Sequence, residues 1–301
     1  MSVIDADTHV DECESTWEKL EGTPYEKYIP LTVNLPPEVN NHAGFRGLDN
    51  RMWLVEDRMQ NRAIRDEVNH PLRVRRELED VPGRLAHMDE MGVDAHVMYT
   101  TLFLDTVTAK ADVEVALFKA YNRWLAAKSK ESNYRLRYVA QIPLLDMDKA
   151  IEELYFGKEH GACGVYLRAG EAGLSLTDPY FFPLYEEASK LNFPVCIHAS
   201  IGNFGIWDQQ ESGLHFKLPP ISVFHNLIMR SIPDKFPDLR WTFVETSASW
   251  VPYAMNDLSI RFGNSGREFT GKDLLRQNRI YVACQTTDDL PYILETAGDD
   301  N

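Results

Sequence analysis

The first strand-like run of the chain, Ile4-Asp5-Ala6-Asp7-Thr8-His9, ends in carboxylates and an imidazole. Residues two apart on a strand share a face, so Asp5, Asp7 and His9 should form one row and Ala6 and Thr8 the other. A charged row at the end of a buried strand is costly unless something neutralises it. A divalent cation does so, and carboxylate oxygen and imidazole nitrogen both ligate one well. The alternative is a solvated strand end paired with nearby arginines. A second imidazole, His198, closes the apolar run Phe193-Pro194-Val195-Cys196-Ile197-His198. Asp7, His9 and His198 together would supply one carboxylate and two imidazoles, a set suited first to zinc and second to manganese, with water positions left open. Two further side chains could move protons. Glu245 ends the run Phe243-Val244-Glu245, and His225 is expected in the first turns of the helix that follows the long loop 199–220. Imidazole titrates near neutral pH, as a general acid or base should. Each also has a structural reading, as a polar strand terminus or as a histidine that caps or packs a helix start.

These residues need a frame. Apolar strand-like runs fall at 3–7, 94–100, 137–142, 164–168, 193–198, 240–245 and 279–284. Helical patterns fall between them, at 81–91, 113–132, 147–159, 179–191, 221–236, 250–262 and 290–297. Strand–helix alternation implies parallel βαβ units, and runs so apolar fit strands covered on both faces. The expected class is therefore α/β, of the (β/α)8 TIM-barrel type. A length of 301 residues suits one such barrel, typically about 250 residues, plus decoration.

Residues 10–80 interrupt the rhythm and are expected to form a cap, because insertions after barrel strands lie over the active site. This stretch holds Arg51, Arg58, Arg62, Arg65, Arg73, Arg75 and Arg76. Most are expected on a solvated helix face, paired with Glu56, Asp57, Asp66 and Glu67. One or two, with Arg51 and Arg58 foremost, could recognise a substrate carboxylate through the planar guanidinium fork. Only seven strands are found, and an eighth would begin at about residue 302. The sequence reads as truncated before it, with two open edges prone to association. A following segment carrying that strand is expected, and the 301-residue form is expected to be essentially inactive.

Charge and composition narrow the function. Lys and Arg number 31 against 46 Asp and Glu, a net charge of −15. That disfavours a general nucleic-acid or anionic-membrane binder, which needs surplus cations. The opening residues carry no basic segment or apolar stretch of signal-peptide length, and no run approaches a membrane span, so a cytoplasmic location is expected. Cys13, Cys163, Cys196 and Cys284 form no CxxC pair and read as reduced thiols, three of them in or beside apolar strands. A small anionic substrate is the expected partner, and a homo-oligomer is compatible with the open edges.

Four stretches, in order and spacing, resemble the amidohydrolase superfamily. They are IDADTH at 4–9, RLAHMDEMGVDAHVMYT at 84–100, DPYFFPLYEEASKLNFPVCIHAS at 178–200 and FHNLIMRSIPDKFPDLRWTFVETSASWVPYAMNDL at 224–258. The resemblance is to the amidohydrolase-2 branch, which contains aminocarboxymuconate-semialdehyde decarboxylase, and it covers most of the chain, 10–80 least. It implies a distorted (β/α)8 barrel with a metal at its C-terminal mouth. The family's HxH falls on Asp7 and His9, a carboxylate replacing the first imidazole, and its fifth-strand metal histidine falls on His198. The histidine that the decarboxylases place at the sixth strand is replaced by Glu245, leaving His225 as the candidate substitute. The eighth-strand metal aspartate has no counterpart. The leading expectation is a metal-dependent hydrolase whose activated water attacks an amide, ester or lactone carbonyl. The alternatives are a non-oxidative decarboxylase of a carboxylated ring and, from another class, an inactive fragment or interaction protein.

Overall fold

Alternating runs become a parallel sheet whose strands are linked by helices. The computed structural model describes residues 2–34, 51–56, 58–61, 72–200 and 216–299. The chain divides into two compact units, Met1–Cys163 and Gly164–Asn301. The first carries β1 (Ile4–His9), a short α1 (Glu14–Trp17), β2 (Leu31–Asn34), β3 (Arg51–Val55), β4 (Arg58–Asn61) and α2 (Arg73–Arg76). Then follow α3 (Val81–Met91), β5 (Ala95–Tyr99), α4 (Ala111–Glu131), β6 (Leu136–Gln141), α5 (Met147–Glu159) and β7 (Ala162–Leu167), in which the boundary falls. The second unit adds a small hairpin, β8 (Gly170–Glu171) and β9 (Leu174–Ser175), then α6 (Phe182–Lys190), β10 (Val195–His198), α7 (Leu218–Met229) and α8 (Ile232–Lys235). It ends with β11 (Trp241–Val244), α9 (Val251–Ser265), α10 (Leu274–Gln277), β12 (Ile280–Val282) and α11 (Leu290–Ala297).

Among the described residues the main sheet has seven strands, in the order β1-β5-β6-β7-β10-β11-β12. The pairs with a recorded register are parallel. This is the (β/α)8 class with seven strands. β10 is buried at every position, as a strand covered on both faces must be. β1 ends the order and leaves Ile4 59% exposed.

Local signals explain where elements start and stop. Asp80 accepts the Gly83 N–H at 2.9 Å to cap α3, and Gly92, at φ 70°, ends it in the left-handed region. Asp146 caps α5 through the Lys149 N–H at 3.1 Å. The helix expected at 221–236 is instead two helices. It starts earlier, at Leu218, because Pro219 and Pro220 are tolerated in a first turn, and it breaks at Ser231, where φ is 52°. Aromatic edge-to-face contacts pack helices against turns, helix ends and one strand. Phe103 sits 4.7 Å from Phe118 and 5.5 Å from Tyr121 in the first unit. Tyr185 meets Trp241 at 4.9 Å, and Phe224 meets Trp250 at 5.0 Å, in the second. Such pairs each add about 0.5–1.5 kcal/mol beyond the burial itself.

The described arginines of the run do not share one element. Arg51 and Arg58 lie on the antiparallel sheet β2-β3-β4, anchored by buried Trp53 and Val55, while Arg73, Arg75 and Arg76 lie on α2. Arg62 and Arg65 fall outside the described residues. The thiols are all free: Cys13 and Cys196 are buried, Cys163 is half-buried, and Cys284 is exposed rather than covered by its strand. No described helix is long and apolar enough to cross a membrane.

Candidate functional site

The end of β1 is not a regular strand. Asp5 pairs with His96 and Thr8 with Met98, so β1 spends three residues where β5 spends two. This bulge interrupts the regular alternation after Asp5, whose carboxylate lies 3.9 Å from His96 and accepts the Asp7 N–H at 3.1 Å. His9 Nδ1 lies 2.7 Å from the Thr100 carbonyl. A carbonyl only accepts, so Nδ1 carries the proton and Nε2 keeps its lone pair. That nitrogen stands 4.0 Å from Asp7 Oδ1, beyond hydrogen-bond range. Both atoms could still reach one ion through bonds of about 2.0–2.2 Å. The β1 end thus fits a divalent metal, with a backbone carbonyl orienting the imidazole as outer partners of metal ligands do.

Buried charges brace this strand end from outside. Arg84 donates to Thr8 Oγ and to the His9 carbonyl, both at 3.2 Å. Burial lowers its pKa to about 10, so it stays charged at neutrality. Asp11 accepts from Arg76 at 2.7 Å. Glu12, fully buried, accepts from Thr100 Oγ at 2.6 Å and from the Leu102 N–H at 3.0 Å, and burial pushes its pKa up to about 7. Burial first, and the Arg84 charge second, push His96 down to about 4.

These two shifts oppose each other in acid. An unfolded histidine takes its proton near pH 6.5 and folded His96 near 4, so its contribution to stability is lost as pH falls through that window. Glu12, raised from 4.5 to about 7, favours the folded state increasingly over nearly the same window. The wild-type profile should therefore be nearly flat in these two groups, and single variants should unmask each. His96→Leu should gain about 2 kcal/mol relative to wild type at pH 5 over its difference at pH 7, measured by urea unfolding. A difference independent of pH would show that His96 is not held neutral.

In the second unit, His198 ends β10 with no exposed surface. Its Nδ1 lies 2.9 Å from the Ala199 carbonyl, which again fixes the proton on Nδ1 and leaves Nε2 as the ligating nitrogen. Glu245 Oε2 lies 3.6 Å from His198 Nδ1. Glu245 follows β11 in the left-handed region, φ 59°, as does Ser247 at φ 61°. Strain of this kind, worth about 1–3 kcal/mol per residue, persists only where the surroundings impose it. Asp288 does so here. It accepts from Ser247 Oγ, from Ser249 Oγ at 2.7 Å, and from the N–H groups of Ala248 at 2.9 Å and Gln285 at 2.7 Å. Burial pushes its carboxyl up, but these donors outweigh it and hold the group down at about 2. At the end of β7, Arg168 and Glu171 form a buried pair closed by Arg168 Nη2 to Oε2 at 2.6 Å and Nε to Oε1 at 3.0 Å.

The other candidates have partners of their own. His225 is the eighth residue of α7, in its third turn, and its Nε2 lies 2.9 Å from Asp257 Oδ2 on α9. The same oxygen accepts from Arg261 at 2.6 Å. Arg58 is exposed and donates to the Thr106 carbonyl at 3.1 Å. Arg51 is placed on β3, but its side chain is not among the described groups. Sequence reasoning missed Glu12, Arg84, Asp288 and the Arg168–Glu171 pair.

A family model described as amidohydrolase, of the amidohydrolase-2 branch, matches residues 4–264. Among solved structures, an amidohydrolase from Mycobacterium avium subsp. paratuberculosis K-10 aligns over 99% of this chain and 86% of its own, at 18% identity and a TM-score of 0.76. 5-Carboxyvanillate decarboxylase from Sphingomonas paucimobilis aligns over 99% and 85%, at 16% identity and a TM-score of 0.67. The 5-carboxyvanillate decarboxylase from Novosphingobium aromaticivorans, complexed with manganese and 4-hydroxy-3-methoxy-5-nitrobenzoic acid, aligns over 71% and 66%, at 18% identity and a TM-score of 0.61. At such identities the likeness to these structures is one of fold. The family match spans most of the sequence and includes both strand ends: the chain belongs to the amidohydrolase family.

Proposed function

We propose that the chain is a metal-dependent carboxy-lyase, removing carbon dioxide without oxidation from a small hydroxylated aromatic carboxylate. What carries the reading is the matched pair of histidines closing β1 and β10. Each commits Nδ1 to a backbone carbonyl and keeps Nε2 as the acceptor. In this fold class the C-terminal ends of the strands gather where catalysis occurs. Asp7, His9 and His198 have the donor types a divalent metal takes, zinc or manganese, and would hold it. A divalent cation held there would supply positive charge to stabilise the electrons left on the ring as the carboxyl group departs. Arg58 on β4, with Arg51 at the far end of β3 in the same small sheet, would orient the anion. Glu245 would deliver a proton to the ring carbon as its bond to the carboxyl carbon breaks. It comes ahead of His225, whose imidazole is committed to Asp257.

Decarboxylation is preferred to hydrolysis because two of the structures with this fold are decarboxylases of hydroxylated benzoates. Hydrolysis has one observation in its favour: a carboxylate at the Glu245 position could equally take a proton from an attacking water. Incubation with Mn2+ and carboxyl-13C-labelled hydroxybenzoates separates the two. The proposal expects metal-dependent release of labelled carbon dioxide. Acid release from esters or lactones, with no label liberated, would move the assignment to hydrolysis.

A further inference from the structure

Glu12 lies three residues beyond His9, has no exposed surface, and takes no part in the chemistry proposed above. Three donors from one turn converge on its carboxylate. Thr100 Oγ donates to Oε1 at 2.6 Å, the Thr101 N–H to Oε1 at 3.2 Å and the Leu102 N–H to Oε2 at 3.0 Å. The Thr100 hydroxyl also accepts the Phe103 N–H at 2.9 Å, and the Thr101 hydroxyl donates to the Val10 carbonyl at 2.7 Å. So the 100–103 turn is pinned to the segment that follows β1. Its purpose is visible in the remaining group of Thr100, the carbonyl that receives the Nδ1 proton of His9 at 2.7 Å.

We infer that Glu12 is a positioning residue for His9: by fixing the 100–102 turn it aims the Thr100 carbonyl, and that carbonyl holds the imidazole in the Nδ1–H tautomer with Nε2 presented as a ligand. The inference rests on His9 being a metal ligand, the reading given above. Chemistry explains why a carboxylate stands here. Both of its oxygens accept, so one can serve the hydroxyl and the Thr101 amide while the other serves Leu102. Glutamine has the same shape but turns an N–H2 toward one of these donors, and a donor facing a donor cannot bond. A buried carboxylate is expensive to desolvate, and a site that keeps one uses its acceptors. The partners sit 88 to 90 residues away in sequence, so Glu12 also joins the ends of two neighbouring parallel strands.

The test is Glu12→Gln, read first in the metal-free protein. At pH 8 the ring nitrogens of His9, assigned against His9→Ala, should show in wild type a protonated Nδ1 and an unprotonated Nε2 by 15N NMR. In Glu12→Gln they should move toward a mixture of tautomers, and Mn2+ affinity measured by calorimetry should fall about 10- to 100-fold. If Glu12→Gln does not fold, Thr100→Val, which removes the shortest of the three donors, is read in the same way. A folded variant whose His9 keeps the wild-type tautomer, with Mn2+ affinity within about twofold, overturns the inference. If wild type binds no Mn2+, the metal reading falls, and the tautomer comparison alone then decides whether Glu12 orients His9.

Discussion

His9→Ala is expected to take up no stoichiometric Mn2+ or Zn2+ and to lose at least about 10³-fold in turnover, a loss of several kcal/mol of charge stabilisation. The fold should survive. Among the described strands β1 ends the order, and the His9 ring at its end bonds the Thr100 carbonyl. Losing that bond should cost about 1 kcal/mol. Thermal unfolding and metal analysis on the same sample separate the effects. A variant that retains wild-type metal content would remove His9 from the ligand set whatever its activity.

The second large effect is at Glu245. Glu245→Gln should lower kcat by about 10²- to 10⁴-fold with metal content unchanged, because the amide cannot deliver a proton at the reacting carbon. His225→Asn should leave kcat within a few-fold and act on stability instead. His225 holds α7 to Asp257 on α9, and Asp257 keeps Arg261 when the imidazole is gone. The reverse result, a collapse of kcat in His225→Asn and normal turnover in Glu245→Gln, would exchange the two roles. Glu245 sits in the left-handed region at the end of β11, and Asp288 holds the residues that follow it, Ser247 to Ser249.

Much of this was legible from sequence, for local reasons. The bounds of α3 and α5 coincide with the helical patterns at 81–91 and 147–159 because Asp80, Gly92 and Asp146 are capping signals within a few residues of the helices. β10 was legible because a strand buried on both faces is apolar without interruption until His198. The bulge in β1 was not. Alternation within Asp5, Asp7 and His9 holds only if the strand keeps register with β5, and register is a property of the pair. His225 was placed too near its helix start because Pro219-Pro220 reads as loop, although proline is at home in a first turn. Glu12 and Asp288 were invisible for another reason. Their partners are mainly backbone amides and hydroxyls of turns far along the chain, and neither group carries a residue-type signature. The grouping of Asp7, His9 and His198 came from strand-end reasoning, and the amidohydrolase resemblance implied the same set.

The central claim is that the ends of β1 and β10 hold one metal through two imidazoles. Electron spin-echo modulation on protein loaded with one equivalent of Mn2+ tests it most directly, since nitrogens bound to the ion modulate the echo. The account predicts coupling from two histidine nitrogens, reduced to one in His198→Ala. Stoichiometric Mn2+ without histidine coupling, or a spectrum unchanged by His198→Ala, would contradict it.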